Sequence, residues 1–190
     1  DAYRIPYTFS DPLVMSLTLD KGMTKRVVRD AKVPTSDFWV AATVGDAAKV
    51  SFAPPWFVKP VAEGTGKGIT PASIVSEREI LAPRVAELLQ TYKQPVLIEP
   101  YLSGREFTVG IVGTGDRARA IGSMEVILLS NAEQGVYSYV NKENCEELVE
   151  YQLVRPGDDP VVAASERIAL DAWRVLGCRD AGRIDIRCDG

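Results

Sequence analysis

The spacing of apolar residues along the chain predicts three helices. In the first, over 16–32, apolar side chains recur at every fourth position, at Leu19, Met23, Val27 and Ala31. The second covers most of 71–92 and is expected to bury Ile80, Val85, Leu88 and Leu89. The third covers 160–176 and carries Ala169, Trp173 and Leu176 on its apolar side.

The intervals between these helices contain strand-like segments. Short apolar runs predict strands at 37–44, 56–60 and 96–99, with two more at 118–129 and 136–143. Over 105–112 polar and apolar residues alternate, which places Phe107, Val109 and Ile111 on one face. Over 183–188 the same alternation separates Ile184, Ile186 and Cys188 from Arg183, Asp185 and Arg187.

The order of these elements indicates an α+β protein. A small mixed unit up to about residue 95 is followed by an antiparallel sheet backed by a helix, which differs from the alternating βαβ pattern of a doubly wound fold. A cleft between two such units is a natural place for a ligand.

Composition narrows the functional classes. The 190-residue chain has a formal net charge of −4, so we expect no bulk attraction to nucleic acid or to an anionic membrane. No apolar stretch approaches the roughly 18 residues of a membrane span. Three cysteines without a CxxC pair favour reduced thiols in a cytoplasm over a disulfide or zinc framework. The absence of histidine excludes Ser-His-Asp and Cys-His mechanisms and most zinc hydrolases.

The segment VKPVAEGTGKGI at 58–69 is a candidate phosphate-binding loop. It is not a Walker A loop, because Val61 stands where the first glycine belongs and Gly68 where Ser or Thr belongs. A glycine-rich hairpin with surface lysines is the simpler alternative. Lys59 argues against it, since a lysine at the end of an apolar strand is costly unless it faces a ligand or a carboxylate.

Five segments together resemble a known family. They are DKGMTK at 20–25, FVKPVAEGTGKGI at 57–69, VLIEPYLSGREFTVGIVG at 96–113, VYSYVNKE at 136–143 and LGCRDAGRIDIRCD at 176–189. Their order and spacing are similar to those of ATP-grasp ligases and, more narrowly, of the D-alanine–D-alanine ligases, from about residue 5 to the end. The resemblance implies an ATP-grasp fold, in which two α+β subdomains hold ATP between them.

The resemblance also implies roles for the residues of the small subdomain and the hinge. Lys21 and Lys59 would contact the phosphates of ATP. The loop would close over them as a lid, and its site residues are Glu63, Thr65, Gly66, Lys67 and Ile69. This chain has only one hydroxyl residue, Thr65, where relatives often have two. Glu99, Tyr101 and Leu102 would receive adenine, and Glu106 would bind the ribose hydroxyls.

The large subdomain would carry the chemistry. Lys142 would reach the transferred phosphate, Arg183 would stabilise the oxyanion and the phosphate in transit, and Asp185 would be a magnesium ligand. With ATP and Mg²⁺ as cofactors, phosphoryl transfer to a carboxylate makes an acyl phosphate, which an amine then attacks. No covalent enzyme intermediate is required, so the lack of histidine is no obstacle.

The expected product is D-alanyl-D-alanine, a peptidoglycan precursor, made in the cytoplasm from D-amino acids and with a homodimer as a further expectation. Alternatives are an ATP-grasp ligase for other amino acids or small acids, and a nucleotide-binding module without activity. Glu143 stands where typical relatives have a tyrosine that orients the second D-alanine, which predicts a larger or cationic second substrate. Acidic side chains facing solvent would be the simpler account of Glu143.

The resemblance divides the chain into three parts. We expect 1–18 to be the tail of a missing N-terminal domain, 19–95 to be the small subdomain with its lid, and 96–190 to be the large subdomain without its C-terminal part. A fold truncated at both ends would lack the remaining magnesium ligands, so this fragment is expected to be inactive alone.

Overall fold

The computed structural model describes Tyr3 and residues 5–189. The strands and helices, in chain order, are α1 (Pro12–Leu19), α2 (Lys21–Asp30), β1 (Trp39–Ala41), β2 (Trp56–Pro60), β3 (Ile74–Val75), α3 (Arg78–Tyr92), β4 (Val96–Pro100), β5 (Glu106–Val112), β6 (Arg119–Leu128), α4 (Tyr139–Glu143), α5 (Cys145–Leu148), β7 (Val149–Val154), α6 (Pro160–Val175) and β8 (Ala181–Arg187). Short 3-10 turns occupy 44–49, 71–73 and 115–117. None of the described helices is long and apolar enough to cross a bilayer.

The first sheet is antiparallel, with strand order β1-β4-β2-β3. Strand β4 is one of its two inner strands, and accordingly its residues 96–99 are all buried. Helix α3 covers one face and contributes Leu81, Val85 and Leu88 to a core that also contains Trp56. The predicted boundary at residue 95 falls before β4, so the first sheet extends five residues beyond it.

The second sheet is also antiparallel, with order β7-β6-β5-β8. The predicted alternation in β5 is confirmed, because Phe107, Val109 and Ile111 are fully buried. Helix α6 packs on this face, and Trp173 joins the same core and donates from its indole to the Gly113 carbonyl at 3.1 Å. The two cores confirm the α+β reading.

The predictions for the helical segments need three corrections. The helix expected over 16–32 is two helices, because Asp20 ends α1 and caps α2 by accepting from the Met23 amide. Residues 71–75 form a 3-10 turn and β3, so α3 begins only at Arg78. Ile80 is 49% exposed, because the buried side of α3 starts one residue later, at Leu81.

The predictions for the strands need corrections as well. The strand expected over 136–143 is wrong: this segment holds α4, whose first turn is capped by Ser138 accepting from the Asn141 amide. The strand expected over 37–44 is shorter than predicted, because only Trp39–Ala41 forms a strand, β1. Strand β7 was not predicted, since most of its side chains are exposed and only Val149 is buried.

Candidate functional site

A cleft of about 1380 Å³ lies between the two sheets and receives side chains from both. Most of the sequence-predicted site residues line it, namely Lys21, Lys59, Ile69, Glu99, Tyr101, Leu102, Glu106, Lys142, Arg183 and Asp185. The other predicted residues are outside its described lining: Glu63, Thr65, Gly66, Lys67 and Glu143. The structure therefore brings together residues from five separate sequence segments.

Glu99 holds two lysines on the wall formed by the first sheet. Lys59 Nζ lies 2.6 Å from Glu99 Oε2, and Lys25 Nζ lies 2.7 Å from Glu99 Oε1. Lys59 on β2 and Glu99 on β4 belong to neighbouring strands, whereas Lys25 reaches across from α2. Burial opposes ionisation of Glu99, but Lys59 and Lys25 outweigh it and lower the pKa of this carboxyl to about 2. Lys59 thus has the carboxylate partner that its position in the strand required.

Lys21 begins α2 beside this ion-pair network. Its Nζ donates to the Glu63 carbonyl at 2.5 Å, at the start of the glycine loop. Burial, followed by the nearby charge of Lys59, lowers the pKa of Lys21 to about 8. An anion that enters the cleft would therefore stabilise the charged form of Lys21.

The glycine loop is anchored at both ends. Gln94 donates to Glu63 Oε1 at 2.8 Å and accepts from the Ala62 amide at 2.7 Å. At the other end the Gly68 carbonyl accepts from Ser73 Oγ at 3.4 Å. Gly68 has φ +78, and a Cβ there would lie 2.6 Å from the Pro60 ring, so only glycine fits without rearrangement.

The middle of the loop turns twice and touches α4. The Lys67 and Ile69 amides donate within the loop, to the Gly64 and Gly66 carbonyls. Gly66 has φ +77 and is buried, and a Cβ on it would lie 3.3 Å from the Tyr139 amide nitrogen. The loop is therefore folded down against the second unit, and its role as a lid stays a prediction.

Helix α4 presents Lys142 to the cleft. The Lys142 ammonium lies 4.5 Å from the centre of the Tyr137 ring, within range of a cation–π interaction. Burial raises the pKa of the Tyr137 hydroxyl above its ordinary value. Buried Asn141 donates to the Glu133 and Val136 carbonyls and so fixes the turn before the helix. Glu143 follows Lys142 on α4 but is exposed.

The segment that the resemblance identifies as the hinge, 99–102, lies at the end of β4 and leads to the start of β5. Tyr101 donates its hydroxyl to the Gly135 carbonyl at 2.7 Å, and its amide donates to the Pro55 carbonyl at 2.8 Å. Glu106 pairs with Arg187 at 2.8 Å, and Arg187 also donates to the Leu102 carbonyl at 3.0 Å. Tyr101 is thus bonded to the loop before α4, whereas Leu102 is bonded to β8.

The polar face of β8 carries the remaining candidates. Asp185 Oδ1 accepts from Thr108 Oγ1 at 2.9 Å and lies 3.8 Å from Arg183 Nε. Arg183 is 67% exposed and Asp185 49%, so both point into the open part of the cleft. Their arrangement leaves them accessible to a ligand.

The charged side chains that line the cleft fit a nucleoside triphosphate with a divalent cation. The ammonium groups of Lys21, Lys59 and Lys142 reach the cleft from α2, β2 and α4 and match a polyphosphate. Mg²⁺ is usually held by one or two carboxylates together with substrate phosphates and water, and Asp185 supplies one such carboxylate. Among the described residues no cluster of three or more metal-ligating side chains occurs.

Four contact residues were missed from the sequence. Lys25, Gln94, Tyr137 and Arg187 were not assigned to the site, although three of them lie within the quoted family-like segments. Lys25 follows Lys21 by one helical turn, which was the available signal. Gln94 contacts the Glu63 side chain and the Ala62 amide, about 30 residues away in sequence, and no local pattern reveals such contacts.

Comparison with known proteins identifies a matching family model and related proteins. The family model described as D-ala D-ala ligase C-terminus matches residues 27–190. The D-alanine–D-alanine ligases of Polaromonas naphthalenivorans and Bordetella avium are each 34% identical to the chain, over 97% and 98% of it but only 56% and 57% of their own length. The chain therefore spans about half the length of the curated relatives it matches.

Solved structures show the same fold. The VanG D-Ala:D-Ser ligase from Enterococcus faecalis matches with a TM-score of 0.73 at 20% identity, over 96% of this chain and 52% of that one. The D-alanine–D-alanine ligase from Bacillus anthracis complexed with ATP matches with a TM-score of 0.71 at 18% identity, over 99% and 56%. The expected ATP-grasp fold is confirmed.

Proposed function

The chain belongs to the D-ala D-ala ligase C-terminus family, and we propose that it forms the nucleotide-binding part of an ATP-dependent ligase that makes D-alanyl-D-alanine. The observation that carries the proposal is the convergence of Lys21, Lys59 and Lys142 on one cleft from three separate elements. The substrates are D-amino acids, and the product feeds peptidoglycan synthesis in the cytoplasm. A homodimer and the absence of nucleic-acid partners remain predictions.

The side chains divide the work by position. Lys59, held by Glu99, and Lys21, held at the loop, bind phosphate oxygens without having to be ordered first. The lid excludes water above them. Lys142 compensates the charge on the group in transfer, and Arg183 stabilises the oxyanion that develops when the amine attacks. Asp185 would hold Mg²⁺, which supplies Lewis-acid stabilisation of phosphoryl oxygens when bound.

The roles of the hinge stay as predicted from the resemblance, with one refinement. Both oxygens of the Glu99 carboxylate are already bonded to lysines. Its first task is therefore to place Lys59, and its contact with the adenine amino group is secondary. Tyr101 and Leu102 form the wall next to it, and Glu106 would accept from the ribose.

Nucleotide binding is the first activity to measure, because the chain spans about half the length of its relatives. Mg·ATP and Mg·GTP are titrated by calorimetry into the full chain and into Lys59→Met. We expect a preference for ATP and a roughly 30-fold loss of affinity in the variant, as for a lost charge-assisted bond. Lys49→Met is the matched control, since Lys49 pairs with Asp46 on the surface. Equal affinity of wild type and Lys59→Met would contradict the phosphate site.

Because this fragment is expected to be inactive alone, ligation is tested by ADP release from the intact parent protein, with Mg·ATP and D-alanine and then with a panel of other amino acids. Release that requires D-alanine supports the proposal. If ADP is released only with other amino acids, the protein is still a ligase but D-alanine is not its substrate. ATP binding without release under any condition favours a binding module.

A second substrate other than D-alanine remains a separate prediction, which rests on Glu143. Its exposed position on α4 gives it no described contact with the cleft. Where release is measurable, Glu143→Tyr is compared with wild type across the panel. An unchanged profile would reject a role of Glu143 in specificity.

A further inference from the structure

Arg187 connects three parts of the cleft wall. It ends β8 and lies directly opposite Glu106 in the antiparallel register with β5. Its Nη1 donates to Glu106 Oε2 at 2.8 Å, and its Nε donates to the Leu102 carbonyl at 3.0 Å. Its Nη2 donates to the Gly135 carbonyl at 3.4 Å. One guanidinium thus joins β5, the hinge and the loop before α4.

The three contacts of Arg187 depend on the shape of its guanidinium group and on its partial burial. The Arg187 and Glu106 side chains are 27% and 19% exposed, so water screens the pair only in part. A guanidinium offers five N–H donors in a rigid plane and can serve a carboxylate and two carbonyls at once. A lysine ammonium would keep the charge but not this planar set of contacts.

The consequence concerns the direction in which Glu106 faces the cleft. A carboxylate has about four acceptor positions, so the pair with Arg187 does not exhaust its capacity. Ribose 2′ and 3′ hydroxyls are donors of the kind it can take. An oriented carboxylate makes that bond without first losing rotamer freedom.

We propose that Arg187 is a positioning residue that fixes the Glu106 carboxylate to accept a ribose hydroxyl, and so sets a preference for ribonucleotides over 2′-deoxyribonucleotides. The proposal rests on the proposed function, because it requires a nucleotide in the cleft with its ribose at Glu106. It concerns the binding preference of the site and adds no step to the reaction.

The test compares Mg·ATP with Mg·2′-deoxy-ATP by calorimetry on the full chain. We expect wild type to bind ATP about tenfold more tightly, the scale of one hydrogen bond to a charged group. Arg187→Met and Glu106→Gln should bring the ratio towards one by weakening ATP and leaving 2′-deoxy-ATP nearly unchanged. Arg187→Lys should retain part of the preference.

Arg105→Met is the matched control. Arg105 precedes Glu106 and also pairs with carboxylates, Glu125 and Asp159, neither of which lines the described cleft. Its loss should leave the ratio unchanged. Thermal unfolding of each variant checks that it is folded. Should Arg187→Met fail to fold, Arg187→Lys decides the question, because a nucleotide preference equal to that of wild type would overturn the inference.

Three results would overturn the inference while nucleotide binding stands. In the first, Arg187→Met weakens both nucleotides equally, which makes Arg187 a purely structural contact. In the second, the variant binds ATP more tightly, which makes Arg187 an obstruction. In the third, wild type does not distinguish the two nucleotides. Failure of wild type to bind either nucleotide overturns the proposed function, and the inference with it.

Discussion

The two walls of the cleft are built in different ways. On the first sheet, Glu99 bonds Lys59 and Lys25 at 2.6 and 2.7 Å, and all three side chains are largely buried. On the second sheet, Arg183 and Asp185 are mostly exposed, and their nearest charged atoms are 3.8 Å apart. The first wall is ordered by the fold itself. The second offers side chains that are more exposed and less closely paired.

The largest expected effect is on the ordered wall. Glu99→Gln leaves two buried ammonium groups without their counter-charge, and we expect a loss of about 3–5 kcal/mol in the free energy of unfolding. Urea unfolding measures it. Asp171→Asn, which breaks an exposed pair with Arg174, is the control and should change stability by less than about 0.5 kcal/mol. Losses of similar size in both variants would remove the contrast between buried and exposed pairs.

Acid should weaken the same wall. The pKa of Glu99 is about 2 in the folded chain against an ordinary 4.5, so its contribution is complete above pH 4.5 and is lost as the pH falls from 4.5 to 2. The shift corresponds to at most about 3 kcal/mol. The stability difference between wild type and Glu99→Gln should therefore shrink over this range. A difference that stays constant down to pH 2 would contradict the ion-pair account.

Alkaline pH should weaken nucleotide binding through Lys21. Its pKa of about 8 means that it loses its charge above pH 8, whereas a bound phosphate favours the charged form and raises the pKa. Binding should therefore take up protons, and affinity for Mg·ATP should fall roughly tenfold from about pH 7 to about pH 9. Calorimetry in buffers of different ionisation enthalpy measures the proton uptake. Lys21→Gln should show neither effect, and a wild-type affinity independent of pH would place Lys21 away from the phosphates.

The smallest effect is expected on the open wall. Arg183→Met should leave the free energy of unfolding within about 0.5 kcal/mol of wild type, because the side chain is exposed and its ion pair is long. Binding of Mg·ATP should change less than in Lys59→Met, with any larger effect confined to turnover. Destabilisation comparable to that of Glu99→Gln would show that the two walls are not distinct.

The sequence predicted the structure best where the spacing of apolar residues is set by burial alone. The alternation of β5 and the apolar side of α6 place Phe107 and Trp173 in the core as expected, since period and burial agree there. The pattern failed at 136–143, where the cap by Ser138 and the bonds of Asn141 override strand-like side chains. It failed at β7 because an exposed edge strand carries no buried alternation.

Ten of the fifteen predicted site residues line the cleft, but the contacts that hold them there were not predicted from the sequence. Lys59 at the end of an apolar strand required a partner, and that partner is Glu99. The second lysine on Glu99 and the contacts of Arg187 depend on how α2 and β8 pack against distant segments. Side-chain type and spacing carry no information on that packing, so these contacts needed the structure.

The contact between Gly66 and α4 has a consequence for the residues that position 66 tolerates. A side chain at position 66 would meet the backbone at Tyr139 and the stem of Lys142, so substitution there requires α4 to shift. The backbone at position 66 also has φ +77, which strains any residue other than glycine. A mutant library that randomises position 66 alone should therefore return mostly glycine. Diversity at the tip of the loop is limited by a helix more than 70 residues further along the chain.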